Sequence, residues 1–273
     1  MSDDIQPPDL ETIKIESDGS IGTMTLDRPD SLNGMNPQMI GELMTVSQWL
    51  ADRAPYRALI VTGAGNAFSA GGDVNWFRKG LEEPEQDLSQ GVRHGADVLH
   101  QAIVDFKRIP YPVIAAVNGP AAGAGFSLAL MCDFRIASES AFFACAYGRI
   151  GASPDGGMTY FLPRVIGPAK AAELLLDDPN LPAGEALERG LVSEVVAAEE
   201  LGDRALEKAR KLAAMAPHYV RLAKSLVWQS LDNSLADHLQ LERHGIADSM
   251  DTEDLRNGVQ AFFAGEKVVF EGR

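Results

Sequence analysis

Residues 111–132 read YPVIAAVNGPAAGAGFSLALMC, a run without a charged side chain and long enough to span a bilayer. Asn118, Gly119 and Pro120 break it in the middle, and Gly123 and Gly125 follow, so a continuous membrane helix is the poorer reading. The run predicts a buried strand over 113–117, a tight turn, and a small-residue helix over 123–132. A buried strand feeding a glycine turn and a helix points to a wound α/β architecture.

The flanking sequence repeats that logic. Upstream, residues 58–62 predict a short buried strand. A loop over 63–73 leads to a helix whose apolar positions Val92, Val98, Leu99, Ile103 and Phe106 run to about Lys107. Before it, residues 12–16 and 22–26 alternate around the turn residues 17–20 and predict a hairpin. Asn36 caps a helix with Pro37 at its first position, and Met39, Ile40, Leu43, Met44 and Leu50 keep helical spacing to Arg53. Downstream, residues 134–137 and 141–145 predict a further strand pair, followed by the turn SPDGG at 153–157 and a helix from about 158 to 165. From Pro168 the pattern is mostly helical, with one strand near 192–196. The expected organisation is a core over residues 1–197 and a helical region over 198–273. In the latter, His218, Trp228, Leu235, Leu239 and Leu241 form a packing face that serves self-association as readily as an intrachain core.

Length and charge bound the function. A chain of 273 residues supports one sizeable domain, or one plus an appendage. A formal net charge of -15 with no basic run argues against nucleic acid and anionic membrane as partners, because either needs clustered Lys and Arg. Cys132 and Cys145, both in apolar surroundings, cannot make a disulfide framework. The acidic start MSDDIQPPDLE lacks the charged and apolar regions of a signal peptide, so a cytoplasmic protein is expected.

His94, His100, His218, His238 and His244 lie scattered on helices with no metal-ligand spacing, so each reads as a surface or packing histidine and no metal is expected. Gly63-Ala64-Gly65 lacks the third glycine of a dinucleotide fingerprint, Phe68 standing in its place, and there is no Walker pattern. Two other turns are more informative: FSAGGD at 68–73 and NGPAAGAG at 118–125, each following a strand and opening toward a helix. Small residues let a ligand atom approach the backbone, and N–H groups at a helix N-terminus carry partial positive charge. Two such turns facing each other can bind a developing oxyanion; each taken alone is explained by tight helix–strand packing. Asp155 is explained as a helix N-cap or turn residue. If its carboxylate points instead into an apolar pocket, desolvation raises its pKa toward that of a general base.

At these segments the sequence resembles the crotonase superfamily, also called the enoyl-CoA hydratase/isomerase family. Residues 68–73 match its first oxyanion segment and 118–133 its second. GASPDGGMTYFLPRVIG at 151–167 matches its third, and AGEALERGLVSEVV at 183–196 and residues 258–270 also fit. The resemblance implies an α/β spiral of ββα units with a helical C-terminal trimerisation region. It implies a homotrimer or dimer of trimers, an acyl-CoA thioester as substrate, and no cofactor beyond the coenzyme A that the substrate carries. By motif position the oxyanion donors are the Gly72 and Ala124 N–H groups. Hydratases of the family place glutamates where this chain has Ser127 and Tyr147. Asp155 falls where the Δ3,Δ2-enoyl-CoA isomerases carry a catalytic glutamate and the ring-1,2-epoxyphenylacetyl-CoA isomerases an aspartate.

The resemblance therefore implies an enoyl-CoA isomerase with Asp155 as base. The alternatives are hydration by a water held at Ser127, hydrolase or dehalogenase attack by Asp155 itself, and a non-catalytic acyl-CoA-binding scaffold. Trp76, Phe77, Ser127 and Tyr147, with Phe68 and Tyr160, are candidates for the acyl pocket. Asn33, Gly34, Ala70, Asp73 and Lys267 are candidates for substrate and CoA contacts, and Arg28, Arg78 and Lys79 for further local cations.

Overall fold

The computed structural model describes residues 6–83 and 87–273. The chain opens with the hairpin β1 (Ile13–Asp18) and β2 (Ile21–Leu26), paired antiparallel from Ile13 opposite Leu26 to Asp18 opposite Ile21. Helix α1 (Pro37–Arg53) starts where its cap predicts: the Asn36 side chain accepts the Met39 N–H at 2.9 Å, and Pro37 occupies the first turn. After β3 (Ala58–Gly63) come α2 (Val74–Glu82) and α3 (Leu88–Arg108). The charge-free run becomes β4 (Val113–Val117), the two-residue β5 (Ala121–Ala122) and α4 (Ala124–Met131). Among the described residues no helix is long and apolar enough to cross a membrane. The chain continues through β6 (Phe134–Ser138), β7 (Phe142–Ala144), α5 (Met158–Ile166), α6 (Pro168–Asp177), β8 (Leu181–Pro182), α7 (Ala183–Glu188) and β9 (Glu194–Val196). Four helices close it: α8 (Leu201–Ala213), α9 (Pro217–Gln229), α10 (Leu235–Ser249) and α11 (Glu253–Ala264).

Six strands form one sheet in the order β1-β2-β3-β4-β6-β9, parallel at every pairing except β1 with β2. A small second sheet has the order β5-β7-β8. The strand pair expected over 134–145 is thus divided between the two sheets. The short turn in which the Ala141 N–H donates to the Ser138 carbonyl at 2.9 Å takes the chain out of the first sheet, and Phe143 then pairs with Ala121.

Alternation along the strands decides what covers each face. Leu59, Val61, Val113, Ala115 and Val117 share a core with Met39, Leu43, Val46 and Leu50 of α1 and with Leu99, Ala102, Ile103 and Phe106 of α3. Ile60, Ile114, Ala116 and Ile136 face the other way, against Leu201, Ala205, Ala209 and Ala213 of α8. Helix α8 therefore packs directly on the sheet.

Helix α9 is fastened by a buried ion cluster. Asp133 accepts from Lys224 at 2.7 Å, from the Val113 N–H at 2.9 Å, from the Trp228 indole at 3.3 Å and from Lys107 at 3.4 Å. Burial pushes the Asp133 carboxyl up, but Lys224, Lys107 and the Val113 N–H outweigh it and hold the carboxyl below the usual range. Burial also draws Lys107 down to about 8, against the opposing pull of Asp133.

Candidate active site

Both glycine turns lie just beyond the carboxyl ends of β3 and β4, and main-chain hydrogen bonds lock them together. The Phe68 and Ser69 N–H groups donate to the Pro120 carbonyl at 3.1 Å each, and the Ala122 N–H donates to the Ser69 carbonyl at 2.9 Å. A third segment closes the arrangement, with the Met35 N–H donating to the Gly71 carbonyl at 2.7 Å and the Ala70 N–H to the Leu32 carbonyl at 2.9 Å. Gly71 sits at φ +90°, and a Cβ there would stand 2.6 Å from the Ala122 carbonyl oxygen and 3.0 Å from the Ala124 nitrogen. Only glycine lets the first turn approach the second this closely. Neither the Gly72 nor the Ala124 N–H has an acceptor among the described residues, and Ala124 opens α4, where helical N–H groups have no partner in their own helix.

Gly72 and Ala124 line a cavity of about 220 Å³ together with Asp155, Trp76, Phe77, Ile40, Val92, His94 and Leu99. Larger clefts, of about 790 and 810 Å³, lie among the C-terminal helices and at the amino ends of the strands. The smaller cavity brings together the Gly72 and Ala124 N–H groups, the Asp155 carboxylate and an apolar lining.

Asp155 does not cap α5: the residue preceding that helix is Gly157, and the Asp155 carboxylate accepts from the adjacent, non-helical Gly156 N–H at 2.5 Å and from no N–H of the helix. Gly156 at φ +62° and Gly157 at φ +79° turn the chain so that Asp155 faces the cavity. Its main-chain carbonyl is clamped by the Ser127 hydroxyl at 2.8 Å, the Tyr147 hydroxyl at 2.9 Å and the Met158 N–H at 3.2 Å. Burial pushes the Tyr147 phenol up to about 12, so it stays protonated and donates. Ser127 and Tyr147 were expected in the acyl pocket; the structure uses both hydroxyls to hold Asp155, with Ser127 fully buried.

A histidine also meets this acid. His100 lies exposed on α3, as a helix-surface histidine is expected to, and its Nε2 also pairs with Asp155 Oδ1. Its one sequence clue was its place in α3 beside Leu99 and three residues before Ile103, at the edge of the helix's buried face.

The other expected contact residues have structural engagements. Asn33 is buried at φ +54°, and its side chain accepts the Arg28 N–H and donates to the Ala64 and Ala67 carbonyls, shaping the loop between them. Asp73 accepts the Asn75 N–H at the start of α2 and pairs with Arg28 at 3.0 Å, beside Gly34. Arg78 and Lys79 are exposed on α2. Phe68 is buried in the core, and Tyr160 donates to Asp232 away from the cavity. Lys267 is exposed in the tail after α11. That tail reaches the amino end of β3, where Arg57 donates to the Phe270 carbonyl at 2.8 Å, so within one chain it lies at the opposite end of the sheet from the two turns.

A family model described as enoyl-CoA hydratase/isomerase matches residues 16–273. The 1,2-epoxyphenylacetyl-CoA isomerase of Escherichia coli (strain K12) is 37% identical over 264 residues, covering 97% of this chain and 100% of that protein. The short-chain-enoyl-CoA hydratase of Clostridium acetobutylicum is 33% identical over 264 residues, covering 95% and 97%. Among solved structures, an enoyl-CoA hydratase from Bacillus anthracis superimposes with a TM-score of 0.89 at 33% identity, covering 96% of this chain and 100% of the other.

Proposed function

The chain belongs to the enoyl-CoA hydratase/isomerase family, and from that premise we propose that it shifts a carbon–carbon double bond in an enoyl-CoA thioester. The thioester oxygen sits between the Gly72 and Ala124 N–H groups. Fixed donors aimed where negative charge develops contribute about 3–4 kcal/mol each in a water-poor site. Asp155 removes the α-proton of a 3-enoyl thioester; the electron pair spreads into a dienolate held by the two donors, and the carboxyl returns a proton two carbons further along. The double bond moves into conjugation and nothing is added or lost, so one carboxylate suffices.

The observation that carries this reading is the acid inventory of the cavity. Asp155 is the one carboxylate lining it among the described residues, and Ser127 and Tyr147 clamp the Asp155 carbonyl. Hydration needs groups to activate water at one carbon and protonate the next, and a single acid serves proton relocation better. Self-association is part of the proposal: Phe262 and Phe263 of α11 are 80% and 83% exposed, and Leu235 and Leu239 of α10 are exposed too, which supports an apolar face that a second copy covers.

The test is to supply purified protein with a 3-enoyl-CoA and follow conjugated-thioester absorbance. Its growth, with no 3-hydroxyacyl-CoA formed from a 2-enoyl-CoA, is the expected result. Rapid hydration of the 2-enoyl-CoA overturns the isomerase reading, and tight acyl-CoA binding without turnover favours a scaffold.

A further inference from the structure

The pairing of His100 with Asp155 spans two cavities. Asp155 lines the 220 Å³ cavity that holds the backbone donors. His100 lines a neighbouring cavity of about 640 Å³, with Ile103, Lys107, Phe161 and Trp228. Oδ1 of Asp155 meets both His100 Nε2 and the Gly156 N–H, whereas Oδ2 has no partner among the described residues. The His100 side chain is 52% exposed and that of Asp155 36%, so the imidazole is the wetter member of the pair.

We infer that His100 has two linked roles: it aims the carboxylate by holding Oδ1, and it connects the proton on Asp155 with solvent in the neighbouring cavity. The inference rests on Asp155 being the proton-transferring group of the proposed function. While Asp155 is ionised, the Nε2–H and the Gly156 N–H on Oδ1 fix the carboxylate rotation and leave Oδ2 for the substrate. Once Asp155 has taken the α-proton it is neutral and free to turn its O–H toward His100: the imidazole, exchanged through water from its Nε2–H to its Nδ1–H tautomer, accepts the carboxyl proton at Nε2 and gives its Nδ1 proton to water. This leaves a carboxylate and a neutral imidazole of the other tautomer. Running the step backward brings a solvent proton to Asp155, which then adds to the dienolate. Protons are conserved, and no oxidant or co-reactant is needed. The relay competes with direct return of the abstracted proton, so the share of solvent hydrogen in the product measures it.

The test is turnover of a 3-enoyl-CoA in deuterium oxide by the full chain and by His100→Gln and His100→Ala, with deuterium read by mass spectrometry in the 2-enoyl product and by proton NMR in recovered substrate. The glutamine amide keeps a donor toward Oδ1 but cannot relay a proton. His100→Gln is therefore expected to lower the labelled fraction at least threefold, with a smaller loss of kcat than His100→Ala. His100→Ala is expected to lose tenfold or more in kcat with KM changed less than twofold, because it frees the carboxylate. A labelled fraction in His100→Gln equal to the unmodified protein's, or an unchanged kcat in His100→Ala, overturns the inference. If the unmodified protein exchanges α-hydrogens without moving a double bond, the isomerase reading falls. The label at the α-carbon of recovered substrate then tests His100 by the same criterion.

Discussion

The turns at 68–73 and 118–125 are fixed to each other by main chain, through the Phe68, Ser69 and Ala122 N–H groups and the close approach of Gly71. Asp155, which lines the same cavity, is fixed by side chains from three other places: Ser127 on α4, Tyr147 after β7 and His100 on α3. The difference follows from what each half does. A developing oxyanion is served best by dipoles that do not move, which backbone inside a packed spiral supplies. A base that collects a proton at one carbon and delivers it two carbons away is served by a carboxylate held from behind, its carbonyl anchored and its Oδ2 left toward the substrate.

Substitutions distinguish these two kinds of construction. The largest effect belongs to Asp155→Asn, which keeps the size of the side chain and removes the base: isomerisation falls by roughly 10³-fold or more, while acyl-CoA binding and Tm stay near their starting values. Retained activity would assign the base elsewhere. Gly71→Ala attacks the backbone half. It places a side chain at φ +90° and a Cβ 2.6 Å from the Ala122 oxygen, so backbone strain of about 1–3 kcal/mol adds to a clash and both Tm and kcat fall, the latter by about 10²-fold. A loss of kcat with unchanged Tm would mean the turns are not locked as described. Ser127→Ala combined with Tyr147→Phe loosens only the anchor of Asp155 and lowers kcat about tenfold with little change in KM, about 1.4 kcal/mol at the transition state. Tyr147→Phe alone, leaving the Ser127 bond in place, loses less.

The smallest effect is on pH. Asp133 is held below the usual carboxylate range, so the unfolded chain binds more protons than the folded one between the folded value and about pH 4. Its stabilisation is complete above that window and is lost as pH falls through it. Because Asp133 joins Lys224 and Trp228 of α9 to Lys107 of α3, hydrogen exchange across residues 217–229 is expected to quicken below about pH 4 before that of residues 124–131 does. Uniform loosening of both would contradict the sign or the place of this contribution.

The same division explains what could be read beforehand. The short apolar runs at 58–62 and 113–117, the Asn36-Pro37 cap and the two glycine turns are local patterns, and each identified its element before any contact was known. The facing of the two turns was legible only as a possibility of the pair, since Pro120 and Ser69 meet across distant sequence. Tertiary contact alone revealed the rest. His100 and Asp155 are brought together from 55 residues apart. Ser127 and Tyr147 gave no local sign that their hydroxyls converge on one carbonyl. The strands at 134–145 were misjudged as a pair because sequence adjacency suggests a hairpin, while each found a longer-range partner. Asn33 illustrates the converse: its place in the motif suggested a ligand contact, and its buried side chain bonds three main-chain groups of the protein.

The most direct test of the whole arrangement is a crystal structure of the protein with a non-reactive acyl-CoA thioester bound. The account predicts the thioester oxygen about 3 Å from both the Gly72 and Ala124 nitrogens, with the α-carbon facing Oδ2 of Asp155. A thioester oxygen bound away from those two N–H groups, or an α-carbon beyond reach of Asp155, would contradict it.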